Sequence, residues 1–354
     1  MERRDFLRAS AAIGLTGAAC KQARVPPSRA AVLTALVHEV VVPDAAAVIA
    51  SSIELRKAAS AFANAPAPAT LRAVRSAFVP ALLAWKRAQC FRNGPMVETN
   101  AFVRTLFWPP RPAALEAVLS GSAAIDSELV AGLGVDARGL YALELLLFPE
   151  NADEARTLAL FGADARARRG ALAEALATSI VEYAERAGAA LGDGTAYAAR
   201  FAKGAQVALS MLVNQMIGSV ENLAAHRLEH VLGLEKLHRL VPLEVEGWPS
   251  GTSQELALAQ LQGNERLYRG GKSGGLAELT SAAAPDIEAH VSRKYDEARA
   301  AVRALGAPLE RVVTTDHPAL VRAAAATKAL EIALKVELSS ALGVTITFQT
   351  GDGD

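Results

Sequence analysis

Gly139-Leu140-Tyr141-Ala142-Leu143-Glu144-Leu145-Leu146-Leu147-Phe148 is apolar apart from Tyr141 and Glu144. Its Leu and Ala content favours a helix. On a helix those two side chains lie three residues apart on one face. A carboxylate among Leu and Phe is costly unless it is paired, hydrogen-bonded or bound to a cation. The stretch is therefore either a core helix with one well-satisfied Glu, or a helix that presents two oxygen ligands to a buried site.

The surrounding composition agrees with helices. Hydrophobic residues make up 51% of the 354, aromatics only 5%, and Ala and Leu dominate. That pattern suits an all-α protein of helical bundles better than sheets, and the length suits two domains. Lys+Arg and Asp+Glu both number 37, so the net charge is zero. Nucleic-acid binding asks for a basic stripe, and none is present. Arg166, Arg168 and Arg169 read as a solvated helix face.

Upstream of the opening stretch, helical periodicity runs from Ala30 to Ala63 and is interrupted at Pro43, which suits a helix start. A second helix runs from Pro68 to Phe91, with Pro80 as a kink and Gly94-Pro95 as its stop. Trp85 and Trp108 read as packing anchors. Arg92 and Arg104 stand beside aromatic and turn residues, where Arg is often recruited by a buried carboxylate. Glu144 is the expected partner, with Glu98 as competitor.

Downstream, Leu191-Gly192-Asp193-Gly194 is the strongest boundary in the chain. It divides an N-terminal bundle, 29–192, from a C-terminal bundle, 195–348. One long amphipathic helix is expected from Thr195 to Gly233. It carries His226, Glu229 and His230 in His-x-x-Glu-His form, a spacing that can hold zinc with the Glu as base. Such sites need a third acidic ligand, and neither Glu310 nor Glu331 sits in a convincing motif, so surface histidines are the competing reading. Residues 242–253 form a loop, with Ser253 capping the next helix. Val344 to Phe348 alternates like a strand, and Asp352 and Asp354 close an acidic tail, 349–354.

Residues 1–20 read as an export signal. Arg3-Arg4 precede Phe6-Leu7, and an uncharged stretch from Ala9 to Ala19 leads to Cys20. The order fits a twin-arginine leader, with Cys20 as a candidate lipidation site or a neighbour of simple cleavage. Residues 21–28 are a tether. Only Cys90 then remains in the body, so no intramolecular disulfide is expected.

These motifs together resemble the imelysin-like family of bacterial envelope proteins. Its signature is Gly-x-His-x-x-Glu before an apolar run. Gly139 and Glu144 match it, and Tyr141 stands where the family has His. The family's Arg-x-Gly-Pro turn and its Arg before Phe-Trp-Pro match Arg92 to Pro95 and Arg104 to Pro109. Trp248 to Ser253, Leu267 to Gly270, Leu342 to Phe348 and Asp352 to Asp354 match in the same order, so the likeness covers essentially the whole mature chain.

The resemblance implies two packed helical-bundle domains with the signature helix facing the crevice between them. It implies an exported protein of the periplasm or outer envelope, tied to iron acquisition and its envelope components, with a metal ion or small ligand as partner. Membrane contact would come only through a lipid on Cys20. Relatives bind metal ions or acidic polysaccharide, and the family is filed among metallopeptidases. Tyr141 changes that expectation. A tyrosine hydroxyl must lose a proton of pKa about 10 to ligate, which ferric iron can force and zinc does poorly. The site is then an iron site, a hydrogen-bonding site for another ligand, or a degenerate site on a scaffold. A Tyr-x-x-Glu pair also provides too few ligands for a zinc-bound water, which counts against peptidase activity.

Overall fold

The computed structural model describes residues 27–347, apart from 151, 163–166, 240 and 242–243; the side chains of 234–236 are also outside it. The signal expected over 1–20 with Cys20, residues 21–26 of the expected tether, Arg166, Phe348 and residues 349–354 lie outside the described residues.

The main helices are α1 (Arg29–Asn64), α2 (Pro68–Ala88), α3 (Gly139–Leu147), α4 (Ala167–Leu191), α5 (205–236), α6 (Ser253–Arg269), α7 (Pro285–Arg303) and α8 (317–342). Short helices fill the connections, and the protein is all-α: the described residues include no strand.

Three local features differ from the sequence-based expectation. Pro43 does not begin a helix. The wide turn Val37–Val41 precedes it, in which the Val42 amide reaches back to the Val37 carbonyl. That turn eases the clash and missing donor that a proline brings to a helix interior, so α1 continues. The helix expected from Thr195 to Gly233 breaks at Gly204, into Thr195–Lys203 and α5. Val344 to Thr347 is not a strand, because no neighbouring strand offers it an edge. Asn214 takes that role with one side chain: it donates to the Thr345 carbonyl at 2.9 Å and accepts from the Thr347 amide at 2.9 Å.

The second part of α1 packs against α2 and α4, and α3 lies on α4 and α2. Leu55, Phe62, Phe78, Leu82, Leu143 and Leu176 are wholly buried there. Each such side chain contributes about 1.5–3 kcal/mol relative to exposure. In the second half, α7 packs on α8, and α5 on α6 and α8. α6 crosses α2 at Gly263, where a Cβ would sit 2.4 Å from the Arg87 carbonyl oxygen and 2.8 Å from the Cys90 sulfur. One hydrophobic cluster runs through both halves.

α1 has the length and hydropathy to cross a bilayer. Here it is bound along its course by protein. Arg29 bonds to Gln206 and to the Leu342 carbonyl, Glu39 accepts from the Ser273 amide at 2.9 Å, and buried Asp44 pairs with Arg266. Its first turns pack on the helix Thr195–Lys203 and on α5.

Candidate functional site

α3 can start where it does only because residue 139 is glycine. Gly139 has φ of 77°, and a Cβ there would lie 2.4 Å from the Thr105 carbonyl oxygen. This close approach to the helix Ala101–Thr105 fixes the position of the residues that follow.

Tyr141 is 1% exposed, and its hydroxyl donates to Glu246 Oε1. Glu246 is buried in the loop between α5 and α6 and accepts three more hydrogen bonds from two donors. Lys86 Nζ, from the last turn of α2, lies 2.8 Å from Oε1 and 2.9 Å from Oε2. Arg227 Nε donates to Oε2 at 2.6 Å. Arg227 comes from the wide turn Ala224–Glu229 inside α5 and lies 4.5 Å over the Trp108 ring. Trp108 is thus a platform for a cation as well as a packing anchor. Trp85 is wholly buried and donates to Ser52 at 2.9 Å, pinning α2 to α1.

The electrostatics of this cluster are asymmetric. Burial pushes the Glu246 carboxyl up, but Arg227, Lys86 and the hydrogen bonds from Lys86 and Tyr141 outweigh it and hold it at about 2. Burial, the Glu246 charge and the hydrogen bond to it raise the Tyr141 hydroxyl well above 10. Burial lowers the Lys86 ammonium, Glu246 opposing and Arg227 adding to the effect.

Glu144, 2% exposed, faces the same loop a few residues on. Its Oε1 accepts from the Ser250 hydroxyl and, at 3.3 Å, from the Ser250 amide; Ser250 also bonds Thr252 at 2.8 Å. Burial lifts the Glu144 carboxyl to about 7, with the Ser250 bonds opposing. Nearby, Ser253 donates to Glu310 at 2.7 Å. Tyr141 and Glu144 therefore both reach across to the second half, each to its own partner.

The expected arginines are placed differently. Among the described residues neither Arg92 nor Arg104 pairs with Glu144 or Glu98, since Ser250 occupies the Glu144 oxygen. His226, Glu229 and His230 are all exposed, and His230 lies 3.7 Å from Glu244. Among the described residues no group of three or more His, Cys, Asp and Glu side chains is arranged to hold a metal ion.

The donor set at Tyr141 does not fit a bare metal ion. Glu246 is answered by two cations, and the Tyr141 hydroxyl keeps its proton far above neutral pH. A metal ion there would face Lys86 and Arg227 at close range with no free carboxylate oxygen to offset them.

Beside this cluster lies a groove of about 460 Å³. That is within the range of small-molecule sites, about 300–1,000 Å³. Lys86, Arg227 and Glu246 form part of its lining, together with Phe107, Trp108 and Gln260 of α6. Lys86, Arg227, Glu246 and Ser250 were not among the candidate residues read from sequence. The readable signal was a Glu set between Val245 and Gly247-Trp248, two residues after Glu244.

The family model described as Imelysin (Peptidase M75) matches residues 41–336. The chain belongs to the imelysin family. Two solved structures share the imelysin-like fold. One, from Parabacteroides distasonis ATCC 8503, is described as an iron-regulated protein A precursor; it is 18% identical, with a TM-score of 0.76 over 90% of this chain and 97% of that one. The other is an imelysin-like protein from Psychrobacter arcticum 273-4, 16% identical, with a TM-score of 0.72 over the same shares of the two chains. No curated protein sequence matches. At this identity the imelysin likeness is one of fold.

Proposed function

We propose that this imelysin-family protein is exported to the cell envelope and serves iron acquisition as a binding protein, not as a hydrolase. The ligand is held in the groove beside Tyr141 and Glu246. Residues 29–192 and 195–348 form its two walls, and Cys20 is the point of lipid attachment. One observation carries the reading: a buried, fully paired ion cluster joins both halves at the edge of a groove of ligand size. Such a cluster is expensive to build for packing alone, since apolar residues of similar volume often stabilise as well or better. The iron link rests on one structural neighbour, the iron-regulated protein A precursor of Parabacteroides distasonis.

The test is a strain lacking the gene, grown under iron limitation and complemented with wild type or with Tyr141→Phe. The expected result is a growth defect restored by wild type and only partly by Tyr141→Phe. Normal growth of the deletion strain, with no small molecule released from protein purified out of the envelope fraction, would overturn the proposal. The mass of the mature N-terminus checks Cys20.

A further inference from the structure

We propose that the groove binds a hydroxycarboxylate anion. This rests on the binding-protein reading above and names the ligand class for that site.

Three features of the lining argue for it. The first is charge. Lys86, Arg92, Arg227 and Lys335 line the groove against only Glu221 and Glu246. Glu246 is already met by Lys86 and Arg227, and Glu221 lies 3.9 Å from Lys335. Arg92 is exposed, with no carboxylate partner among the described residues. Arg227 uses Nε on Glu246 and Nη1 on the His226 carbonyl, which leaves Nη2. Arg92 therefore has its guanidinium fork available for a carboxylate, and Arg227 offers one further nitrogen.

The second feature is an unmet acceptor. Gln260 is 7% exposed and gives its amide nitrogen to the Ser219 carbonyl at 2.7 Å, while its Oε1 has no partner. A buried acceptor without a donor costs about 1–3 kcal/mol. A ligand hydroxyl that reaches this oxygen supplies that donor, and an ionised carboxylate alone does not. The third feature is the apolar wall of Phe107 and Trp108, which suits a carbon skeleton between the charged ends.

Titration calorimetry on the purified full-length protein tests this, with citrate, tricarballylate (citrate without its hydroxyl), ferric citrate, inorganic phosphate and anaerobic ferrous iron as probes. Citrate should bind, and tricarballylate about tenfold or more weaker. Arg92→Gln, on an exposed side chain, should weaken citrate about tenfold. Gln260→Leu should erase the difference between citrate and tricarballylate. Lys57→Gln, outside the groove, controls for net charge and should change nothing. Ferric citrate binding tighter than citrate makes the chelate the cargo; equal or weaker binding makes it the free acid. Either result supports the proposal. Equal binding of citrate and tricarballylate, no effect of Arg92→Gln, or binding of phosphate alone overturns it. Ferrous iron bound without any anion overturns the anion and leaves the binding-protein reading standing. No binding of any probe counts against both.

Discussion

Tyr141 donates its hydroxyl hydrogen to Glu246, a carboxylate 105 residues further along the chain. The bond ties the start of α3 to a loop of the other half. It also keeps the phenol neutral beside a carboxylate that two cations already satisfy.

Tyr141→Phe removes one charge-assisted donor and leaves the Glu246 ion pairs in place. Unfolding in urea should show a loss of about 1.5–3 kcal/mol. An unchanged midpoint would mean that the hydroxyl does not hold the halves together.

Glu246→Gln leaves Lys86 and Arg227 side by side without their anion. The expected loss is about 3–5 kcal/mol. Lys86→Met combined with Glu246→Leu should recover part of it, because only the Arg227 guanidinium, partly exposed at the groove, then lacks its anion. In the wild type the Glu246 carboxyl sits at about 2 against an ordinary 4.5. The stability it contributes is complete above 4.5 and is lost as pH falls toward 2. Acid titration of the wild type against the double variant should show this loss only in the former.

Glu144 behaves in the opposite sense. Its carboxyl is raised to about 7 from an ordinary 4.5. Between those values the folded protein keeps a proton that the unfolded chain has lost, so stability falls as pH rises through this window. Glu144→Gln still accepts from Ser250 and cannot ionise. It should exceed wild type by about 1–3 kcal/mol at about pH 8 and converge with it near about pH 5. Thermal melts at several pH values check this, and parallel curves for the two proteins would refute it.

Gly139→Ala meets both a positive φ and the Thr105 backbone. The expected loss is about 3 kcal/mol or more. Gly263→Ala meets the Arg87 carbonyl and the Cys90 sulfur where α6 crosses α2, and should be comparably damaging. Gly218→Ala, with open space around its Cβ, is the control. Circular dichroism melts of the three variants separate these cases.

Much of the helical fold was legible in the sequence because helical periodicity and the apolar run after Gly139 are local signals. Tyr141 and Glu144 were legible for the same reason: two polar groups on a Leu-rich face have to be answered by something. What answers them was not legible. Glu246 and Ser250 lie in an irregular loop with no period to align them, and Lys86 looks like any cation in the last turn of a helix. Arg92 and Arg104, beside aromatic and turn residues, were the expected partners of Glu144, yet a serine hydroxyl takes its oxygen. The wide turns at 37–41 and 224–229 also escape a reading based on a 3.6-residue repeat. The second of them is what brings Arg227 to Glu246.

The bond from Arg29 to the Leu342 carbonyl spans 313 residues. The first turns of α1 also lean on the helix Thr195–Lys203 and on α5. Among the described helices α1 comes first in the chain, yet it finds these neighbours only after almost all the others have been made. Its apolar flank must stay covered by something else until then. Closure of the first turns of α1 therefore waits for the last helix of the chain's second half.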